Sequence, residues 1–264
     1  MILVERLRPV MSLEGQTTVG AAVKTFRIVE GLQELDGAGI SELAEHLDMP
    51  KSSVHNYLHT LEDLGYIICV DGQYWVGLRF LELGGYIRGH YRVFEAGQDE
   101  ADELAEETGE LVNIAVEEHG AGVHVYRAAG NRAVPIDTRI GKRSYLSTTA
   151  LGKAILAYLP EDRVEEIIDR HGLPRMTKNT ICDRDALFEE LATIREQGYA
   201  FDDEERLNGV RCVAAPIRTD DGEVIGSISV AGPTHRMKGD RFERELPERV
   251  LQASNVIELN VTYS

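Results

Sequence analysis

The chain has 264 residues, 43% of them hydrophobic, so it is long enough to form one large domain or two ordinary ones with a buried core. Its 45 acidic and 28 basic residues give a formal net charge of −17, and only six of the bases are lysines. It contains no run of eighteen apolar residues, no signal-peptide pattern, and only three scattered cysteines, which support neither a disulfide framework nor a thiolate zinc site. We therefore expect a cytoplasmic protein without a membrane partner.

The acidity bears directly on possible partners. Acidic surfaces normally repel nucleic acid, because phosphate contacts supply much of the affinity. However, an acid-rich and lysine-poor composition also suits a protein that works in molar salt, where the Debye length falls to about 3 Å and charge repulsion is largely screened. The composition therefore favours a halophilic host, in which DNA binding stays possible.

The first third of the chain predicts three helices followed by a β-hairpin. Residues 19–35 carry apolar side chains at helical spacing, Phe26 among them, and Ile40–Ile67 predicts two short helices joined by a tight turn. Two β-rich runs around Asp71-Gly72 predict a hairpin, because both turn residues tolerate positive φ. Three helices and a hairpin are typical of a winged helix-turn-helix.

The second helix within Ile40–Ile67 has two chemically different faces. One side carries apolar residues at three- and four-residue steps: Val54, Tyr57, Leu58, Leu61 and Leu64. The other side carries short or planar polar residues: Ser52, Asn56 and His59, flanked by His55 and Thr60. Hydrogen-bonding groups on one face and a core anchor on the other are what a helix in the DNA major groove needs. Taken alone, the segment fits an ordinary amphipathic helix pair equally well, and the hairpin after it favours DNA binding.

The remainder predicts a linker and a second domain. Residues 78–92 are expected to form a linker helix with a break at Gly84-Gly85. Residues 93–264 alternate strands with helices and include a predicted strand and turn over 135–141. The predicted helix Thr149–Leu159 is rich in small residues, which let it pack closely on a sheet. We expect an α+β fold with a winged helix-turn-helix over 16–77, a loose extension over 1–15, and a mainly antiparallel sheet in the second domain.

No assembled active site is evident in the sequence. Gly152-Lys153 is not followed by Ser or Thr and lacks the earlier glycine of a phosphate loop, and no Gly-x-Ser-x-Gly elbow occurs. We interpret the acidic run 202–205 as a solvated turn, and His124 and His171 as core or surface residues without ligand-spaced partners. We therefore expect no catalytic residues, no metal and no cofactor.

One cluster predicts a small-molecule pocket. Cys212 opens an apolar strand, and Ser227 and Ser229 alternate along a neighbouring strand, so that both hydroxyls face one side. On a concave sheet face these side chains would supply the few converging polar groups of a ligand site. The alternative interpretation is that they are small residues filling space beneath a helix.

From Thr18 onward the chain resembles the IclR family of transcriptional regulators. The similarity lies in VGAAVKTFRIVEGL, ISELAEHLDMPKSSVHNYLHTLEDLGYI, QYWVGLRFLELG, LSTTALGKAILAYLP, LATIREQGYAFDDEE, NGVRCVAAPI and GSISVAGPTHR. With the acidic composition, it suggests a regulator from a halophilic archaeon. The resemblance implies an N-terminal winged helix that binds double-stranded operator DNA as a dimer. It also implies a C-terminal GAF-like effector domain that binds a small organic metabolite, such as a carboxylate or an aromatic acid.

The resemblance also implies particular contact residues. The implied DNA contacts are Lys51, Ser52, Ser53, His55, Asn56, His59 and Thr60, with Gln73 on the wing. The implied effector contacts are Thr148, Ala150, Leu151, Asp202, Cys212, Ser227 and Ser229. The family often has arginine where Asn56 stands, and the change replaces a group suited to guanine or phosphate with an amide suited to adenine.

We therefore expect a ligand-responsive regulator of a metabolic or catabolic operon, acting as a homodimer or homotetramer. Two alternatives belong to other classes: a metabolite-binding enzyme that uses its winged helix for protein contacts, or a structural or interaction module that carries a winged helix and tolerates a vestigial pocket. An enzyme would require a nucleophile, a base and a group that orients the base, and the sequence contains no such set.

Overall fold

The computed structural model describes residues 18–263, which divide into two compact units, residues 18–88 and residues 89–263. The expected extension over 1–15 lies outside the described residues. One buried apolar core lies in the first unit, and two lie in the second. Within the described range, no helix is long and apolar enough to cross a membrane.

The N-terminal unit consists of three helices, a hairpin and a fourth helix. Its elements are α1 (Gly20–Glu34), α2 (Ile40–His46), α3 (Lys51–Asp63), β1 (Ile67–Val70), β2 (Gln73–Val76) and α4 (Arg79–Arg88). Asp71 and Gly72 adopt φ values of 52° and 78°, so β1 and β2 pair as the predicted hairpin. Helix α4 continues through Gly84-Gly85 without the predicted break, since glycine within a helix is unfavourable by only about 1 kcal/mol.

The buried face of α1 agrees with the predicted apolar spacing only in part. Leu32 follows that spacing and is buried, but Phe26 follows it too and is 60% exposed, while Ile28 is buried instead. Gly31 explains the difference, because a Cβ there would lie 2.9 Å from Cδ1 of Leu43 in α2. The missing side chain lets α2 pack closely on this side of α1, and the helix contact therefore selects the buried face.

The C-terminal unit is built on one six-stranded antiparallel sheet. Its helices are α5 (Arg92–Thr108), α6 (Ala150–Leu156), α7 (Glu161–His171), α8 (Arg184–Gln197) and α9 (Leu246–Tyr263), with a 3-10 turn before α6 and a π-helical segment before α9. Its strands are β3 (Leu111–Glu118), β4 (Ala121–Ala129), β5 (Arg143–Tyr145), β6 (Ala200–Asp203), β7 (Val210–Arg218) and β8 (Val224–Pro233). They lie in the order β5-β4-β3-β8-β7-β6. The predicted α+β class with a mainly antiparallel sheet is confirmed.

The two faces of this sheet differ in side-chain size. The face under α5 and α9 carries branched apolar residues: Val112, Ile114, Val213, Ile228 and Val230. The other face carries small or polar residues: Asn113, Ala115, Cys212, Ala214, Ser227 and Ser229. Helix α6 packs on this second face, where Ala115 and Ala214 of the sheet share a buried apolar cluster with Ala150 and Ala154 of the helix. Small side chains thus leave room for both a helix and a cavity.

Residues 135–141 end in the predicted turn but do not form the predicted strand. The amide of Ile136 donates to the carbonyl of Val134, and the amide of Thr138 donates to the carbonyl of Ile136. These hydrogen bonds join residues two positions apart, so these backbone amides are not available to pair with a neighbouring strand. The short strand β5 follows at Arg143–Tyr145 instead, and residues 136 and 138 face the sheet as part of an irregular segment.

Candidate functional site

The predicted DNA contacts lie on the surface of the N-terminal unit. Ser53 is half-buried, and the others are exposed: Lys51, Ser52, His55, Asn56, His59, Thr60 and Gln73. On the opposite side of α3, Val54, Leu58 and Leu61 are buried. The helix is therefore anchored by one face while its polar side chains point to solvent, and the wing follows directly after it.

Some of these polar groups are engaged within the helix and others are free. Thr60 donates its hydroxyl to the carbonyl of Asn56 at 2.8 Å, and Nδ1 of His59 lies 3.0 Å from a carboxylate oxygen of Asp63. Within residues 18–263, the side chains of Lys51, Asn56 and Gln73 make no hydrogen bond to the protein. Their donors and acceptors are available to a partner.

The nearby arginines serve the fold. Arg27 donates to the carbonyl of Leu47 at 2.8 Å, which ties α1 to the turn before α3. Arg79 donates to the carbonyl of Leu64, and its guanidinium lies 4.7 Å from the centre of the Tyr66 ring. Helix α3 itself contains no arginine, and Lys51 is its one lysine.

A cavity of about 30 Å³ lies in the C-terminal unit between the sheet and the start of α6. Five of the seven predicted effector contacts line it: Ala150, Leu151, Asp202, Cys212 and Ser229. Thr148 and Ser227 are not part of the lining. Thr148 donates its hydroxyl to the carbonyl of Tyr145 at 3.1 Å, and Ser227 donates to the carbonyl of Leu151 at 3.0 Å. Ser227 thus fastens α6 to β8.

The cavity is lined by buried polar atoms that have no hydrogen-bond partner. Within the described part of the chain these are Oδ1 of Asn113, both ring nitrogens of His124 and the hydroxyl of Thr138. Burial, with smaller contributions from the charges of Arg206 and Lys142, lowers the pKa of His124 to about 3, so this imidazole is neutral at pH 7. Each unpartnered buried group is unfavourable by roughly 1–3 kcal/mol. Their convergence on one cavity indicates a site for a polar ligand.

Asp202 is the buried carboxylate of this cavity. Its Oδ1 accepts hydrogen bonds from the amides of Glu205 and Arg206, at 2.7 and 3.3 Å. Burial and the charge of Glu205 raise the pKa of Asp202 to about 7, against the opposing effect of those amides and of Lys153. Across the β6–β7 pairing, burial and the charge of Asp202 raise the pKa of the Cys212 thiol.

The prediction of a solvated turn over the acidic run 202–205 is wrong for two of its members. Asp202 is 2% exposed and Glu205 is 6% exposed. Glu204 adopts a φ of 59°, and the chain turns there so that the Glu205 carboxylate lies 2.6 Å from Nζ of Lys153. Glu205 can therefore be buried because its carboxylate is paired with the buried ammonium group of Lys153.

Sequence reasoning missed most of the unpartnered groups. His124 was interpreted as a core or surface residue, and Asn113, Thr138 and Arg206 were not selected. They come from β4, β3, the irregular segment 135–141 and the segment after β6, which only the sheet brings together. Asn113 alone carried a signal, since it is a polar residue inside the apolar strand LVNIAVEE.

Among residues 18–263, no group of His, Cys, Asp and Glu side chains could hold a metal ion. A winged helix with a free polar helix face, joined in one chain to a unit whose cavity is lined by unpartnered polar atoms, defines a ligand-binding transcriptional regulator.

Comparison with known proteins agrees with this class. The IclR helix-turn-helix domain family matches residues 21–67, and the family of bacterial transcriptional regulator IclR C-terminal domains matches residues 88–259. The probable HTH-type transcriptional regulator ArcR of Halobacterium salinarum is 33% identical over 247 residues, covering 92% of this chain and 94% of that protein. The regulator KdgR of Escherichia coli is 31% identical over 229 residues, covering 86% and 87%.

Solved structures share the architecture. The crystal structure of Thermotoga maritima IclR matches with a TM-score of 0.78 at 28% identity, covering 92% of this chain and 99% of that one. An IclR homologue from Microbacterium hydrocarbonoxydans, crystallised with 4-hydroxybenzoate, shares the fold with a TM-score of 0.76 at 22% identity, covering 90% and 98%. The chain belongs to the IclR family of transcriptional regulators. Its relatives are named as regulators, and it is accordingly a DNA-binding regulator and not an enzyme.

Proposed function

We propose that this protein controls a metabolic operon by binding operator DNA through α3 and the wing, in a way that responds to a small organic metabolite. The observation that carries the proposal is the free polar face of α3 opposite its buried anchor residues Val54, Leu58 and Leu61. The proposed DNA contacts are Lys51, Ser52, Ser53, His55, Asn56, His59 and Thr60 on α3, and Gln73 on the wing.

Two of these residues have distinct proposed chemistry. The free amide of Asn56 can accept from N6 and donate to N7 of an adenine, a contact that reads sequence. Lys51, at the first position of α3, offers a charge to a phosphate, which contributes affinity and position without reading the base. His55 and His59 add hydrogen-bonding groups along the same exposed face.

We propose that the protein is a homodimer joined through α4, with a homotetramer as a further level of assembly. Helix α4 has no buried residue, and the chain around it exposes Leu78, Leu81, Tyr86 and Ile87 by 82%, 70%, 71% and 53%. Nothing lies within 4 Å of a Cβ placed at Gly84 or Gly85, so a second helix could approach closely there. Exposed apolar residues at this density are typical of a protein interface, and a twofold axis lets one surface pair with itself.

We propose that the effector binds in the cavity beneath α6, against Ala150, Leu151, Asp202, Cys212 and Ser229. Ser227 and Thr148 would act behind the lining, through their bonds to Leu151 and Tyr145. The relative crystallised with 4-hydroxybenzoate supports a small organic ligand. The effector would change operator affinity by binding one arrangement of the protein more tightly than another.

In this proposal residues 16–77 bind DNA, residues 78–92 link the domains, and residues 93–264 bind the effector. Because its target is genomic DNA, the protein would work in the cytoplasm. An acid-rich surface in a salt-rich cytoplasm would keep repulsion from the DNA screened.

Fluorescence anisotropy with the promoter DNA of its own gene, in molar KCl, tests the proposal. We expect the full-length protein to bind that promoter at least tenfold more tightly than random DNA of the same length and base composition. Equal affinity for both DNAs would contradict operator recognition. The same titration in the presence of extracted small metabolites tests the response, since an effector must shift the promoter curve and leave the random-DNA curve unchanged.

A further inference from the structure

Taking the proposed effector site as given, we infer that its ligand is an aliphatic acid with at least two hydroxyl groups, held by Asn113, His124, Thr138 and Arg206. The first three residues supply the buried polar atoms of the cavity lining that have no hydrogen-bond partner in the described part of the chain. Arg206 supplies the cation of the cavity lining. None of the four belongs to the contacts suggested by sequence resemblance.

The hydroxyl count follows from the hydrogen-bonding capacity of the lining. A neutral imidazole has one N–H donor and one bare nitrogen acceptor, and Asn113 presents its carbonyl oxygen, a second acceptor. His124 stays neutral at pH 7 because burial holds its pKa far below the usual range. Two separate acceptors require two donors from the ligand. An ionised carboxylate has no donor and a single hydroxyl has one. A ligand ammonium would be repelled by the charges of Arg206 and Lys142, which act on His124, so two hydroxyl groups are the donors that fit.

The acid group follows from Arg206. Its side chain donates to the backbone carbonyl of Asp137 at 3.3 Å, and among residues 18–263 no carboxylate forms an ion pair with it. The neighbouring Arg211, by contrast, is paired with Asp203. An unpaired guanidinium in a protein with 45 acidic and 28 basic residues is a free receptor for a carboxylate.

The number of free acceptors and the position of Asp202 restrict the ligand further. A ring with one hydroxyl would leave one of the two acceptors unpartnered. A hydroxyl can pair with Asp202 whether that group is ionised or protonated, whereas a ligand carboxylate would be repelled by the ionised form, so a hydroxyl should face Asp202 while the acid end faces Arg206. Both restrictions favour straight-chain hydroxy acids over aromatic acids with a single hydroxyl.

Calorimetry with matched compounds tests the ligand class on the full-length protein in molar KCl. Each of glycerate, threonate, xylonate and gluconate is compared with the alkanoate of the same length and with the parent polyol. We expect one or more hydroxy acids to bind at least about 100-fold more tightly than the matching alkanoate and the matching polyol. A site with buried polar groups rejects analogues that leave those groups unpaired.

Three variants assign the contacts. Arg206→Met should remove the preference for the acid over the polyol, while Arg244→Met, at an exposed arginine outside the cavity, should not. Asn113→Leu and His124→Phe should each weaken hydroxy-acid binding by about 100-fold without lowering the midpoint of thermal unfolding. The midpoint of thermal unfolding distinguishes a residue that contacts the ligand from one that stabilises the fold. Replacing Asn113 or His124 breaks no hydrogen bond of these polar atoms within the protein, so the midpoint should not fall.

The outcomes that overturn the inference are distinct from those that overturn the effector site. If the alkanoate binds as tightly as the hydroxy acid, or if the whole hydroxy-acid panel gives no heat, the ligand class is wrong. If benzoate or 4-hydroxybenzoate binds and the panel does not, the class is wrong but the effector site stands. If a bound acid survives Ser229→Trp, which fills the cavity, the site itself is wrong.

Discussion

The ammonium group of Lys153 lies 2.6 Å from Oε1 of Glu205, and both side chains are almost completely buried. Burial alone would lower the pKa of Lys153, but the carboxylates of Glu205 and Glu190 outweigh it and raise that pKa. The pair joins α6, whose first residues line the cavity, to the segment after β6, which contributes Arg206 to the same cavity. Two walls of the proposed effector site are therefore held together by one buried ion pair.

We predict that Lys153→Met lowers the free energy of unfolding by about 3–5 kcal/mol, because it leaves the Glu205 carboxylate buried without its partner. Lys153→Met combined with Glu205→Met should recover most of that loss, since two apolar side chains carry no buried charge. Urea unfolding in molar KCl measures both. Glu190→Gln is the control: its carboxylate is 31% exposed, and the change should be small. Equal stability of the single and double variants would contradict this account.

The raised pKa of Asp202 predicts a pH dependence of stability. An unfolded aspartate titrates near 3.8 and the folded one near 7, so between these values the folded state holds the extra proton. The contribution of Asp202 to the free energy of unfolding is then full below pH 4 and falls as pH rises to 7, by about 1.4 kcal/mol per pH unit.

Asp202→Asn isolates that contribution, because an amide oxygen can still accept the two backbone hydrogen bonds. Unfolding of wild type and variant from pH 4.5 to pH 8 should show wild type losing stability relative to the variant as pH rises. A stability difference that is constant over this range would mean that Asp202 titrates at its ordinary pKa.

Asn56→Ala should weaken binding to the operator by roughly 1–3 kcal/mol and binding to random DNA much less, because the amide is proposed to read a base. Lys51→Ala should weaken binding to both DNAs about equally, since a phosphate contact carries no sequence information. Anisotropy titrations of both variants on both DNAs make the comparison. If Asn56→Ala weakens binding to both DNAs equally, Asn56 contacts the DNA backbone and not a base.

We predict that operator affinity falls less steeply with KCl than it does for a basic winged helix, or even rises. Helix α3 carries one lysine and no arginine, and the protein carries a net charge of −17. Few counterions are then released on binding, while added salt screens repulsion. A plot of the logarithm of the association constant against the logarithm of the KCl concentration measures the slope. A slope equivalent to six or more phosphate contacts, at about −0.9 for each, would contradict the prediction.

Leu81→Glu should convert the dimer to monomers, because it places a charge among the exposed apolar residues around α4. Light scattering in molar KCl measures the mass. Leu259→Glu on α9 is the matched control, since Leu259 is 57% exposed in the other unit and lies outside the proposed interface. If both variants keep the wild-type mass, α4 does not form the interface.

The amino-acid sequence by itself determined the winged helix and the class of the second domain. The apolar spacing of Val54, Leu58 and Leu61 and the turn residues Asp71-Gly72 are local patterns, and local backbone preferences express them directly. The repeating small residues of α6 likewise indicated close packing on a sheet. Local spacing failed at Phe26, where the side chain missing at Gly31 decides which face of α1 meets α2.

Only the tertiary structure decided which polar residues act together. Lys153 and Glu205 appear as ordinary charges in the sequence, and His124 and Asn113 as unrelated polar residues, because nothing local encodes their neighbours. The sheet order β5-β4-β3-β8-β7-β6 puts β3, in the first half of the unit, beside β8 near its end. In the folded protein Glu205 lies buried beside Lys153 and forms an ion pair with it, whereas Asn113 and His124 lie at one cavity without a partner. Ion pairing and burial both depend on which groups surround a residue in space, and the sequence does not specify those neighbours locally.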